Sequence, residues 1–258
     1  MMKYVTRGVG ACIFCWVTIT TMAATDNDVA GLLGMPYRAD GVRAADGRYT
    51  TFMDPDQTFD TPGLNCSGLV TEIARMTLGR PITIEQIMRP RPENAHLHAD
   101  NGPDWDFGWR LIMNISDGLT RRVLMPGGTT LDIADTVTAD PIGYHINAPE
   151  TWAELPARLT AGHLYLISFN TTGRKSGYQT IHYHVGAIYV DQNNTPWLYQ
   201  TTGNGGAANR RNLATTAGQE SFQTAFHDTR GNKKYILVLE IDIPGATVSR
   251  SPANKTDK

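Results

Sequence analysis

The sequence predicts an α+β fold, in which an N-terminal helix that begins at a cysteine packs on an antiparallel sheet. Apolar side chains recur at helical spacing after Cys66, and Gly79 and Pro81 end this run. Beyond residue 162 the pattern changes to strands, at His163–Phe169, Tyr183–Val190, Trp197–Thr202 and Lys234–Ile243. A helix followed by strands with hairpin-length connections is the order of an α+β domain.

The elements before and after the cysteine helix follow from the same patterns. Residues 25–34 predict a short helix, and residues 35–63 are rich in Gly, Asp, Pro and Thr, which predicts a loop. A second short helix is expected over Ile84–Met88, with Thr83 as its cap and Pro90 as its stop. The cysteine helix would pack on the sheet with its N-terminus facing the strand that carries a histidine.

The middle of the chain has the weakest pattern. Residues 89–147 predict an insertion or subdomain, in which 105–115 is expected to be helical and the rest includes Pro126-Gly127-Gly128. Residues 150–159 favour a helix, and Ser221–Phe226 predicts another before the last strand. There is no internal repeat and no long linker in the sequence.

The N-terminal residues 1–23 predict a secretory signal peptide. Lys3 and Arg7 give a basic start, a mostly apolar run from residue 9 to 20 follows, and small residues precede a cleavage site at Ala23. An uncleaved anchor is the alternative, but the apolar run is short for a membrane span. We therefore expect export, with periplasmic or secreted localisation, one folded domain over 24–246 and a disordered polar tail over 247–258.

Removal of the signal peptide changes the cysteine count and the net charge of the chain. The mature chain keeps only Cys66, because Cys12 and Cys15 leave with the signal peptide. A lone cysteine in an exported protein is either buried and inert or a reactive thiol. The mature charge of about −4 offers no basic face for nucleic acid, and no later segment is apolar enough to span a membrane.

Cys66 is the candidate nucleophile. A helix N-terminus presents unpaired N–H groups and the positive end of the helix dipole, and both favour a thiolate. His184 starts an apolar strand far along the chain, and His182 lies two residues earlier, on the same face if the strand is regular. A cysteine and a histidine on separate elements form the arrangement of a Cys–His hydrolase.

Five segments resemble, in order, the motifs of the NlpC-type cysteine peptidases, which are papain-like bacterial cell-wall hydrolases. Residues 65–70, Asn-Cys-Ser-Gly-Leu-Val, are similar to the Asp-Cys-Ser-Gly-Leu-Val signature of the family. The other matches are Gly34-Met35-Pro36-Tyr37, residues 79–86, residues 159–164 and residues 184–189. They cover about residues 31–88 and 159–201.

The resemblance implies a role for particular residues. Cys66 would be the nucleophile and His184 the general base, with His182 as the rival. The polar residue that orients the imidazole would be Gln200, or Tyr199 if the strand is shifted by one residue. The resemblance also implies that Tyr37 and Ser67 contact the substrate.

The expected activity is cleavage of an amide in the peptidoglycan stem peptide, most often the bond from γ-D-glutamate to the diamino acid. No metal or cofactor is required, and an inhibitor or activator protein is a conceivable partner. Two kinds of alternative remain: an acyl transferase, amidase or antibacterial toxin on the same scaffold, or a degenerate module that only binds wall peptide. A thiol-directed probe discriminates the module from the enzymes.

Two other patterns predict no site. Acidic residues and His96 and His98 between residues 96 and 106 could suggest a metal, but a solvated loop is the favoured interpretation. The glycine-rich segment 203–206 lacks the context of a phosphate-binding loop and is interpreted as a mobile loop beside the active site.

Overall fold

A computed structural model describes residues 25–91, 98–99, 108–134, 141–172, 180–203, 206–229 and 232–246. The described residues form the helices α1 (Asp26–Ala30), α2 (Cys66–Leu78), α3 (Ile84–Met88), α4 (Trp109–Ile115), α5 (Pro149–Arg158) and α6 (Thr216–Ala225). The expected signal peptide, residues 1–23, and the expected tail, residues 247–258, lie outside these ranges.

Twelve strands belong to two sheets in the described ranges. The first three are β1 (Gly41–Arg43), β2 (Tyr49–Thr51) and β3 (Thr58–Phe59), and they form a small antiparallel sheet in that order. The loop expected for residues 35–63 is thus partly wrong, because strands of two or three residues are too short to produce a visible alternation.

The main sheet confirms the α+β class with antiparallel pairing. Its strands are β4 (His98–Ala99), β5 (Arg121–Leu124), β6 (Thr130–Leu131), β7 (Tyr144–His145), β8 (His163–Thr172), β9 (Thr180–Val190), β10 (Pro196–Gln200), β11 (Asn209–Asn212) and β12 (Lys234–Asp242). The order is β11-β10-β9-β8-β12-β5-β6, with β4 parallel to β9 and β7 antiparallel to β12.

Helices cover both faces of this sheet. On the first face α2 packs against β8, β9 and β10, through side chains that include Leu166, Ala187 and Tyr199. On the second face the helices α5 and α6 pack on the intervening residues, such as Ile167 and Leu198. The alternation of side chains along each strand separates the two cores, so a residue's face decides which helix it contacts.

The segment 89–147 is part of this architecture. It supplies β5 and β6, which extend the main sheet beyond β12, and β4 and β7, which pair with β9 and β12. It also supplies α4, which contacts α2 and α3. None of the helices in the described ranges has the length and apolar character needed to cross a membrane.

A bulge interrupts the pairing of β8 with β9. Phe169 pairs with His184, whereas the next residue, Asn170, pairs with His182, so Tyr183 has no partner in the register. An extra residue on one strand breaks the alternation of side chains. The two histidines therefore point to opposite faces of the sheet.

Candidate active site

Cys66 is the first residue of α2, as the sequence predicts. The Asn65 side chain caps the helix by accepting a hydrogen bond from the Gly68 N–H at 2.7 Å. Gly79, in the left-handed conformation with φ 60°, ends the helix. Cys66 carries a thiol rather than a disulfide and is only 3% exposed, and it lies on the first face, in the core beneath α2.

Gly68 allows β1 to approach the start of α2. A Cβ atom on this residue would lie 2.1 Å from the carbonyl oxygen of Gly41, so any side chain would force the helix and the strand apart. The same carbonyl accepts a hydrogen bond from the Asn65 N–H at 2.9 Å. These contacts fix the position of the cysteine-bearing turn relative to the small sheet.

Tyr37 lies beside this turn. Its backbone bridges to Leu64, two residues before Cys66, and its N–H donates to the Gly206 carbonyl at 2.9 Å. A Cβ on Gly203 would lie 3.6 Å from the Tyr37 ring, which places the ring at the end of β10. The structure thus brings Tyr37 close to the candidate nucleophile in space, although 28 residues separate the two along the chain.

Ser67 does not have the surface expected of a substrate contact. The residue is fully buried, and its Oγ has no hydrogen-bond partner in the described part of the chain. The structure thus shows no surface on which Ser67 contacts a substrate, and its role as a binding residue stays a prediction.

His184 and Gln200 form the expected hydrogen bond, but on the second face. The His184 Nε2–H donates to Gln200 Oε1 at 3.1 Å. The imidazole packs against Phe169 at 4.7 Å and stacks on Phe226 at 5.6 Å between ring centroids. These rings belong to the core beneath α6, so the sheet separates His184 from the core that contains Cys66.

The expectation that the two histidines share a face is therefore wrong, because the bulge at Tyr183 reverses the alternation. His182 is the histidine on the first face. Its ring stacks on Trp109 of α4 at 6.4 Å, and its Nδ1 lies 2.7 Å from Ser168 Oγ. Its Nε2 is buried and forms no hydrogen bond within the described residues.

His182 and Cys66 also lie at the same end of the sheet. Thr77, near the C-terminus of α2, lines one cavity of about 420 Å³ together with Val190, the last residue of β9. At the other end of α2, Leu64 bridges to Tyr37, whose ring lies against Gly203 just beyond the end of β10. Because β10 is antiparallel to β9, its end lies beside the start of β9, so the cysteine-bearing turn is on the side of the sheet where β9 carries His182.

Ser168 contacts the His182 ring from β8, whereas the resemblance places the orienting group on the strand after the histidine, which is β10. The sequence did not indicate Ser168, since a serine inside an apolar strand carries no recognisable motif. The rival candidate Tyr199 does lie on the first face, and its hydroxyl accepts a hydrogen bond from Arg210 at 3.1 Å. Ser168 is thus the polar side chain in contact with the His182 ring.

Burial determines the charge of both imidazoles. It lowers the pKa of His182 to about 3 and the pKa of His184 to about 4, with the Gln200 hydrogen bond opposing the shift at His184. Both rings are neutral near pH 7. A general base must be neutral before it accepts a proton, and the same burial that keeps these rings neutral also makes each of them a weak base.

The thermal midpoint of unfolding should fall as the pH decreases from about 6.5 to 4.5. The folded pKa of His182 lies below its unfolded value of 6.5, so its contribution to stability is present above pH 6.5 and is lost as the pH falls toward 3. Circular dichroism melts over this range measure it, and His182→Gln should have a shallower slope. A thermal midpoint that does not change across this pH range would contradict the conclusion that the buried imidazoles are neutral.

The residues considered for a metal between 96 and 106 are not assembled into a site in the described ranges. His96, Asp100, Asp104 and Asp106 lie outside them, and His98 is described only by its place in β4. The glycine-rich segment is described only in part, because residues 204 and 205 also lie outside.

No family model, curated protein or solved structure matches this chain. The interpretation of the site therefore depends on its geometry and on the motifs within the sequence itself.

Proposed function

We propose that this chain is a cysteine hydrolase that cleaves an amide bond, with Cys66 as the nucleophile and His182 as the general base. One observation carries the proposal: a thiol at a helix N-terminus and a neutral imidazole with an uncommitted Nε2 lie on one face of the sheet. A helix that presents a cysteine to a histidine-bearing antiparallel sheet is also the arrangement of the papain-like class that the motifs resemble.

His182 replaces His184 as the base in this proposal. The reason is the face of the sheet: the sheet separates His184, with its partner Gln200, from α2. When the His182 Nδ1–H donates to Ser168 Oγ, the lone pair for the thiol proton lies on Nε2. Ser168 then acts as a positioning residue in place of Gln200.

The chemistry proceeds in two halves. His182 Nε2 takes the Cys66 proton as the sulfur attacks the substrate carbonyl, and backbone N–H groups at the start of α2 stabilise the oxyanion. His182 then gives this proton to the departing amine, and the carbon–nitrogen bond breaks to leave a thioester. Water, deprotonated by the same imidazole, hydrolyses the thioester and restores the thiol.

The proposed substrate is the peptidoglycan stem peptide, and the bond from γ-D-glutamate to the diamino acid is the proposed target. The motif at residues 65–70 and the predicted export support this choice. The position of Tyr37 beside the cysteine-bearing turn provides an aromatic wall for a peptide. Periplasmic or secreted localisation is part of the proposal.

A wall-peptide-binding module without catalysis is the second candidate. The observation that favours it is the burial of both Cys66 and His182, which leaves the thiol 3% exposed. Alkylation by iodoacetamide separates the two candidates, because a catalytic thiolate reacts faster than an ordinary buried thiol.

Digestion of purified sacculi by the mature chain, residues 24–258, tests the proposal. Mass spectrometry should detect muropeptides with a newly released amine at the diamino acid and a free carboxyl on γ-D-glutamate. The proposal fails if a folded protein releases no such products, or if the same products appear with Cys66→Ala.

Ser168→Ala should lower kcat about 10-fold with little change in KM. Loss of an orienting hydrogen bond forfeits part of the general-base contribution, which is typically about 10²–10⁴-fold. Ser168→Thr keeps the hydroxyl and should retain most of the rate. The pH dependence of kcat should shift in Ser168→Ala and not in Ser168→Thr. If Ser168→Ala has the wild-type kcat and the wild-type pH dependence, Ser168 has no role in the mechanism.

A further inference from the structure

A second polar cluster lies at the far end of the main sheet, on the second face. It consists of His163 at the start of β8 and of Glu240 and Asp242 near the end of β12, three residues with one possible metal-binding atom each. His163 pairs directly with Asp242 in the antiparallel register, and Glu240 lies two residues before Asp242 on the same strand. The three atoms lie within 4.8 Å of one another.

The distances in this cluster suit ligands around an ion better than they suit hydrogen bonds. His163 Nε2 lies 3.3 Å from Asp242 Oδ1 and 3.9 Å from Glu240 Oε1, yet it makes no hydrogen bond to either carboxylate. Two ligand atoms bound tetrahedrally at about 2.0–2.2 Å from zinc are separated by about 3.4 Å. The observed separations are close to this value.

Burial and orientation favour the same conclusion. His163 and Glu240 are each at least nine-tenths buried, and Glu240 Oε1 faces the imidazole as well as the guanidinium of Arg122. His163 Nδ1 lies 3.2 Å from Thr160 Oγ1, a contact that directs Nε2 toward the carboxylates. A second-shell partner of this kind is usual for a metal-binding histidine.

Arg122 is the competing cation in the cluster. Its guanidinium forms an ion pair with Glu240 Oε1, and its side chain is 42% exposed. The cluster contains two carboxyl groups and one guanidinium, so its acidic groups outnumber its permanent cation. A divalent cation would take the place of the arginine, whose side chain is 42% exposed and can turn into solvent.

We propose that His163, Glu240 and Asp242 bind a divalent transition metal ion, with zinc as the best match to one imidazole and two carboxylates. The ion joins the first residue of β8 to the end of β12 and therefore stabilises the sheet at this end. The site is independent of the proposed hydrolysis, since it lies on the other face from α2 and about five strand residues away from Ser168.

Metal titration of the mature chain tests this proposal. The parent protein for the test carries Cys66→Ser, which removes a competing thiolate ligand without touching the cluster. After removal of metal with a chelator, Zn²⁺ is titrated by calorimetry, Co²⁺ by visible absorption, and the thermal midpoint is measured with and without Zn²⁺.

We expect one Zn²⁺ per chain and a raised thermal midpoint. His163→Ala and Asp242→Ala should each weaken binding by more than about 100-fold, because loss of even a second-shell partner costs about 10–100-fold. Asp242 is 41% exposed, so its variant should fold even if His163→Ala does not. His227→Ala removes an exposed histidine and serves as the matched control.

Two results would overturn the site. In the first, the folded parent protein does not bind Zn²⁺. In the second, Zn²⁺ binding persists in both the His163→Ala and the Asp242→Ala variants. The second result would assign the ion to another pair, such as His145 and Asp228. Neither result bears on hydrolysis, which is measured separately with Cys66 intact.

Discussion

Cys66→Ala is expected to abolish hydrolysis while leaving the fold unchanged. Loss of a catalytic nucleophile lowers kcat by up to about 10⁶-fold, because no other group can form the covalent intermediate. The effect on stability should be small, since the side chain lost is a single buried sulfur, and about 1 kcal/mol is the expected cost. Release of muropeptides and a thermal melt measure the two quantities on the same sample.

Cys66→Ser is the matched control for this experiment. It keeps a polar atom at the start of α2 and preserves the cap that Asn65 makes to Gly68. Its hydroxyl is a poorer nucleophile than a thiolate, so it should be almost as inactive as the alanine variant. Wild-type digestion by either folded variant would show that the thiol has no catalytic role.

The position of the candidate nucleophile could be predicted from the sequence because its determinants are local. Asn65 caps the helix, the apolar residues after Cys66 follow the helical period, and Gly79 ends it. The predicted helices at 66–78 and 84–88 are confirmed with these bounds. The four predicted strands are also present, with ends that differ by up to three residues.

The face of each histidine could not be predicted, because it depends on a pairing between strands. His182 and His184 differ by two residues, which in a regular strand implies a shared face. The bulge at Tyr183 depends on how β9 pairs with β8, and no residue type marks it in the sequence. Selection of Ser168 as a third group needs the same pairing.

The strands in residues 89–147 were missed for a related reason. β5 and β6 are four and two residues long; β6 pairs with β5, and β5 is held by pairing with β12, more than 100 residues later in the chain. A long-range partner of this kind leaves no local periodicity. The same applies to His163, Glu240 and Asp242, which only the register of β8 with β12 brings together.

Substitution of the two histidines should give opposite results. His182→Ala should lower kcat by at least about 10²–10⁴-fold, the range that a positioned general base contributes. His184→Ala should leave kcat within a small factor of wild type, since its ring contacts Phe169, Phe226 and Gln200 on the second face.

The cost of His184→Ala should appear in stability instead. The substitution leaves a cavity between two aromatic rings and removes the hydrogen-bond donor of buried Gln200, and together these changes should cost about 2–4 kcal/mol of unfolding free energy. His184→Gln, which retains an amide donor, should recover part of this loss. Muropeptide release and denaturant melts on the three variants and wild type separate catalysis from stability. If the folded His184→Ala protein is inactive while His182→Ala digests sacculi normally, the base is His184, and the assignment of faces from the bulge at Tyr183 is wrong.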